Sequence, residues 1–145
     1  MTLLLDDHLL SIVLRGDKLP APLGSHRTIA TTGYWYVRLC QAVLGVADRI
    51  GRLSGPFAGL PTGRREQALA AVLELPDEIG LVSLRELGPV IGRLRARHQL
   101  NILSIEALAA AVYLNATVAL SVGSPRLENA LHAEGISFHT VASTP

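Results

Sequence analysis

The chain predicts an α/β fold, a three-layer α/β/α sandwich built on a mainly parallel central sheet. Three observations carry that prediction. Short apolar runs of strand length alternate with amphipathic stretches of helix length, most regularly in the last third. Strands separated by helices of this length pair in parallel through right-handed crossovers, which places helices on both faces of the sheet. The 145 residues make one domain, large enough to bury roughly 70% of the surface of the unfolded chain. A single domain over residues 1–141 is expected, with residues 142–145 as a loose tail.

The elements follow in order. Thr2 to Leu5 is an apolar run that ends abruptly in Asp6 and Asp7 and feeds a helix with Leu9, Leu10, Val13 and Leu14 at helical spacing. Gly16 stops that helix, and Asp17 to Ser25, with Pro20, Pro22 and Gly24, has the chemistry of a loop. Arg27 to Thr32 is a second strand, and Thr32 an N-cap for a helix from Gly33 to Ile50. Gly51 to Gly63 is rich in turn residues. A helix from Arg64 to Leu75 then presents Ala68, Leu69, Val72, Leu73 and Leu75 as its apolar stripe until Pro76 ends it.

Ile79 to Leu84 predicts a third buried strand, and Ser83-Leu84-Arg85-Glu86 matches a capping box. The helix it opens turns Leu87, Val90, Ile91 and Leu94 inward and Arg93, Arg95 and Arg97 outward. Helix Ser104 to Asn115, strand Thr117 to Val122, helix Pro125 to Glu134 and strand Ile136 to Val141 complete the chain. Pro125 suits a first helical turn and Gly135 a helix stop.

Composition narrows the function classes. Apolar residues make up 49% of the chain with only six aromatics, the balance of a helix-rich domain with buried strands. Ala107 to Val122, the most membrane-like stretch, is interrupted by Asn115, Thr117 and Ser121 and reads as a buried helix running into a buried strand. No secretory signal is evident at Met1 to Leu5, so a cytoplasmic protein without membrane contact is expected. Cys40, the only cysteine, reads as a small hydrophobe. Thirteen basic residues against twelve acidic give a net charge of +1, so RNA binding must rest on local clusters such as Arg93, Arg95, Arg97 and His98. A solvated face is the ordinary reading of that cluster, and RNA phosphate contact the functional one.

In an open parallel sheet, groups beyond the carboxyl ends of the strands converge on one crevice. Asp6 and Asp7 follow the first strand, Arg38 lies in the helix after the second, Glu106 begins the helix before the fourth, and Ser124 lies beyond it. Three stretches carry a resemblance: Leu3-Leu4-Leu5-Asp6, Ser104-Ile105-Glu106-Ala107-Leu108-Ala109-Ala110-Ala111, and Leu120-Ser121-Val122-Gly123-Ser124-Pro125-Arg126-Leu127. With the order of elements, they resemble the PIN-domain family, whose toxin-type members are small endoribonucleases of toxin–antitoxin pairs.

The resemblance implies an acidic cluster holding magnesium or manganese, which activates water against an RNA phosphodiester. Asp6 matches the first acid of that cluster. Glu106 stands where an aspartate is usual, Ser124 replaces another aspartate, and Arg38 falls where a glutamate belongs. Asp6, Glu106 and Asp7 are therefore the candidate metal ligands, and Asp6, Glu106, Arg38 and Ser124 the candidate catalytic set.

A guanidinium beside a divalent ion is strongly repelled. One expectation is that Arg38 replaces the metal by bridging Asp6 and Glu106, leaving no cofactor. The others are that Arg38 points outward, or that it swings aside from a weak metal site. Asp7 also has a plainer reading as an acid favoured by the dipole at a helix start, and His8 as a solvent-facing or capping residue.

Tyr34-Trp35-Tyr36 cannot all face one core from a single helix, so at least one is expected to be exposed or covered by a partner. The resemblance implies homodimers and a small antitoxin protein seated between the early helices. Two function classes follow: a toxin-type RNA-acting protein with weak or lost nuclease activity, and a catalytically silent protein-binding module with Tyr34 to Tyr36 at the contact.

Overall fold

The computed structural model describes residues 1–21, 23–24, 28–45 and 51–141. The elements run β1 (Thr2–Leu5), α1 (Asp7–Leu14), β2 (Thr28–Thr31), α2 (Gly33–Leu44), α3 (Gly55–Ala58), α4 (Thr62–Leu73), β3 (Ile79–Leu81), α5 (Leu84–Arg95), α6 (Ile102–Leu114), β4 (Thr117–Leu120), α7 (Pro125–Ala133) and β5 (Phe138–Thr140). The strands form a single sheet in the order β3-β2-β1-β4-β5. Every pairing is parallel, with Leu4 opposite Ala30 on one side and Val118 on the other. The α/β architecture with a parallel central sheet is as the alternation of elements predicted.

Strand alternation divides the core into two layers. Leu4, Ala30, Val118 and Leu120 pack with α5, α6 and α7. Leu3, Leu5 and Ala119 face the opposite way, toward α1, where α1, α2, α3 and α4 build a second cluster around Leu10, Leu39, Phe57 and Val72. Trp35 is the exception on α2, reaching into the α5–α7 cluster. Burial on both faces explains why the central strands are apolar without alternation. Leu4, Leu5 and Leu108 are fully buried, each contributing roughly 2 kcal/mol.

Helix ends follow local chemistry. The Thr32 side chain accepts from the Trp35 amide at 3.1 Å, as its N-cap position predicts. Asn101 does the same for Ser104 at 2.9 Å, so α6 starts earlier than the expected Ser104. At its far end Asn115 takes a left-handed conformation with φ 50°, and Gly135 does so with φ 72° after α7, the usual helix stop. Ser83 caps α5 by accepting from the Arg85 amide, without the reciprocal Glu86 bond of a full capping box.

Several boundaries differ from expectation. The third strand stops at Leu81, because Ser83 is already a helix cap and Gly80 and Leu81 are exposed at the sheet edge. The helix expected from Arg64 to Leu75 runs instead from Thr62 to Leu73, whose side chain is 67% exposed rather than part of the apolar stripe. α2 ends at Leu44, short of the expected Ile50, because Gly45 turns extended with ψ 153°; residues 46–50 lie outside the described residues, as do Pro22, Ser25, His26, Arg27 and the tail at 142–145. Cys40 is half-buried against the α1–α4 cluster. No helix among the described residues is long and apolar enough to cross a membrane.

The basic cluster after α5 is mostly committed internally. Arg97 grips Glu134 through two nitrogens at 3.2 and 3.0 Å, His98 meets the same carboxylate at 2.7 Å, and Arg95 donates to the Leu100 carbonyl at 2.9 Å. Arg93 of the three arginines keeps no such contact among the described residues, and all three are exposed, as a solvated face requires.

The clamp has a pH signature. Hydrogen bonds from Arg97 and His98 hold the Glu134 carboxyl below the usual range. A carboxylate lowered on folding adds stability that is complete above its unfolded pKa and is lost as pH falls through its folded one. Glu134→Gln is expected to lower the urea midpoint at neutral pH, with the difference from wild type shrinking toward zero as pH drops below the carboxylate range. Urea melts across that range are the check.

Candidate functional site

The order of the strands places the topological switch point between β1 and β4, where the connections leave in opposite directions. A crevice opens there by geometry alone. It is a cleft of about 520 Å³ whose polar lining includes Asp6, Asp7, Arg38, Arg52, Ser121 and Ser124. Asp6, Asp7, Arg38 and Ser124 thus meet in one place. Glu106 does not line it.

Asp6 ends β1 and caps α1. One carboxylate oxygen accepts from the Leu9 amide at 3.0 Å. The other accepts twice from Ser121, from its amide at 2.7 Å and its hydroxyl at 2.6 Å. The carboxylate therefore ties the start of α1 to the loop leaving β4. Burial pushes its pKa above the usual aspartate range, and the Ser121 and Leu9 hydrogen bonds only partly offset that rise.

Glu106 is buried and docks on the start of α2. It is 1% exposed, and its carboxylate accepts from the Tyr34 amide at 2.8 Å. A Cβ added to Gly33 would stand 3.2 Å from its second oxygen, so glycine lets the acid approach the first turn of α2. An acid there satisfies an unpaired helix amide and meets the positive end of the helix. The first turn of α2 is thus held by two side chains, Thr32 and Glu106.

Arg38 does not bridge Asp6 and Glu106 as one expectation had it. Its Nε lies 3.3 Å from Asp7 Oδ2, with 48% of the side chain exposed. Asp6 as the cap residue directs its carboxylate back across the helix end, and Asp7, one position on, is the acid presented to α2. The other Asp7 oxygen accepts from the His8 amide at 2.9 Å. Oδ2 is buried without a hydrogen bond, so Arg38 balances its charge by proximity alone. Ser124 occupies the N-cap position of α7 without a side-chain cap bond, and its amide donates to Glu128 at 3.0 Å.

A divalent ion prefers several oxygen ligands with free lone pairs. Asp6 has already accepted three hydrogen bonds, Glu106 is withdrawn to α2, and Asp7 lies against a guanidinium. Among the described residues, no three His, Cys, Asp or Glu side chains gather as a metal-holding group. Asp6, Glu106 and Asp7, the three candidate ligands, thus each already serve a contact within the fold.

Ser121, Ser104 and Arg52 also line the cleft and were not singled out from the sequence. Ser121 had a readable signal, since it directly follows the strand that flanks β1 at the switch point. Arg52 had none, standing in a turn between glycines.

Fold and crevice together define an α/β domain with an all-parallel sheet and a polar cleft at its switch point. No protein-family model and no curated protein matches the chain, so the reading of its function rests on that cleft.

Proposed function

We propose that this chain is a catalytically silent binding domain on a PIN-like scaffold, of the kind found in cytoplasmic toxin–antitoxin pairs, in which metal-dependent RNA cleavage has been lost. One observation carries the proposal: the carboxylates that should hold the ion are occupied by the fold itself. Asp6 staples α1 to the β4 loop, Glu106 holds α2, and Asp7 faces Arg38. The parallel sheet with helices on both faces, and the gathering of Asp6, Arg38 and Ser124 at one crevice, support the PIN-like part of the reading.

A protein partner is favoured by α2. Trp35 is buried, Tyr36 is half-buried and donates to the Val72 carbonyl at 2.6 Å, and Tyr34 is exposed. Tyr34, Val37 and Leu44 share one face of the helix at 43%, 49% and 40% exposure, an apolar stripe suited to a small antitoxin protein or a second copy of the chain.

Calorimetric titration with manganese and magnesium is the direct test. No stoichiometric binding is expected, and no cleavage of structured RNAs with manganese present. Tight one-to-one binding abolished by Asp6→Ala, together with manganese-dependent cleavage, overturns the proposal.

A further inference from the structure

The cleft is lined by two carboxylates, Asp6 and Asp7, and two guanidiniums, Arg38 and Arg52. Arg38 spends its Nε edge on Asp7, while its terminal nitrogens make no hydrogen bond among the described residues. Arg52 is exposed on the same cleft and forms no ion pair among the described residues. The acids opposite are already engaged: Asp7 by Arg38, Asp6 by three donors.

Neutral donors complete the lining. Ser104 and Ser124 line the cleft, and Ser124 leaves the first turn of the nine-residue α7 without a side-chain cap. Unpaired helix amides favour an anion, and a guanidinium fork matches phosphate geometry. Glu128, bound to the Ser124 amide, is the nearby opposing charge. It is not among the lining residues, and its other oxygen accepts from the Thr140 hydroxyl at 3.0 Å.

Resting on the reading of this site as metal-free, we propose that the cleft between β1 and β4 binds the terminal phosphate of a small phosphomonoester, gripped by Arg38 and Arg52. Two guanidiniums, one of them shared with Asp7, offer two hydrogen-bonding forks, and a terminal phosphate presents more oxygens to them than an internal phosphodiester does. A volume of about 520 Å³ is within the range of small-molecule sites, roughly 300–1,000 Å³.

The test is calorimetry in EDTA with inorganic phosphate, a nucleoside 5′-monophosphate, the matching nucleoside, and a single-stranded RNA lacking terminal phosphates. Phosphate and the monophosphate are expected to bind competitively and to weaken as salt rises, with the nucleoside silent. Arg52→Gln and Arg38→Gln are each expected to weaken binding about tenfold or more. Arg38→Lys keeps a cation beside Asp7 and serves where Arg38→Gln unfolds; it is expected to weaken binding less than Arg52→Gln does.

Absence of phosphate binding, or equal binding by wild type and both glutamine variants, overturns the phosphate site and leaves the metal-free reading standing. Tighter binding of the RNA at the same site overturns the choice of a phosphomonoester. Phosphate binding that appears only when manganese replaces EDTA overturns both.

Discussion

Asp6→Ala lowers stability by about 3 kcal/mol, because three donors lose a shared acceptor and each such bond contributes about 1 kcal/mol. For a chain of this length that corresponds to a fall of about 10 °C in melting temperature. The Leu9 amide and the Ser121 amide and hydroxyl are the groups left without a partner. Burial opposes the effect, since it already makes the ionised carboxylate costly, but removing the side chain also leaves a cavity. Asp6→Asn is expected to be intermediate, as one of its two polar atoms becomes a donor facing another donor. Urea or thermal unfolding measures both. A neutral or stabilising Asp6→Ala is what a residue held in place for a ligand gives, and that result removes the staple from the account.

Glu106→Ala is the second large effect, about 3 kcal/mol, from an orphaned Tyr34 amide and from side-chain volume lost at a fully buried position. Glu106→Gln keeps an acceptor for that amide and is expected to lose only about 1 kcal/mol. The effect has a location. Amide hydrogen exchange is expected to speed up first at Tyr34 and its neighbours in the first turn of α2, where the carboxylate now docks at 2.8 Å. Uniform acceleration across α6 instead shows that Glu106 supports its own helix and not α2.

The positions of the strands and most caps were legible because they depend on near neighbours. Thr32, Pro125 and Gly135 act through chemistry within one turn, and the sequence shows it. The apolar runs at Leu3-Leu4-Leu5 and Val118-Ala119-Leu120 are buried strands for the reason their composition indicates. The site was legible to the level of which residues share a crevice. What each side chain does there was not, because it depends on helix phase. Asp6 and Asp7 are adjacent in sequence, yet the end of α1 gives one to Ser121 and the other to Arg38. Glu106 was a candidate ligand only through the resemblance of its local stretch, and the absence of a side chain at Gly33 lets it dock on α2 instead. Leu73 matched the helical stripe and still points to solvent, since the helix ends there.

The sheet is narrowest at its margins. Its two outermost strands, β3 and β5, are three residues each, while the three between them have four. An outer strand exposes backbone donors and acceptors on which another molecule can zip up, and brevity is one of the ways proteins blunt that hazard. With so short a ladder on either flank, a neighbour gains too few backbone bonds to recruit more molecules strand by strand. Growth into fibres through sheet extension is thereby disfavoured even though Leu81, at one flank, is left partly bare.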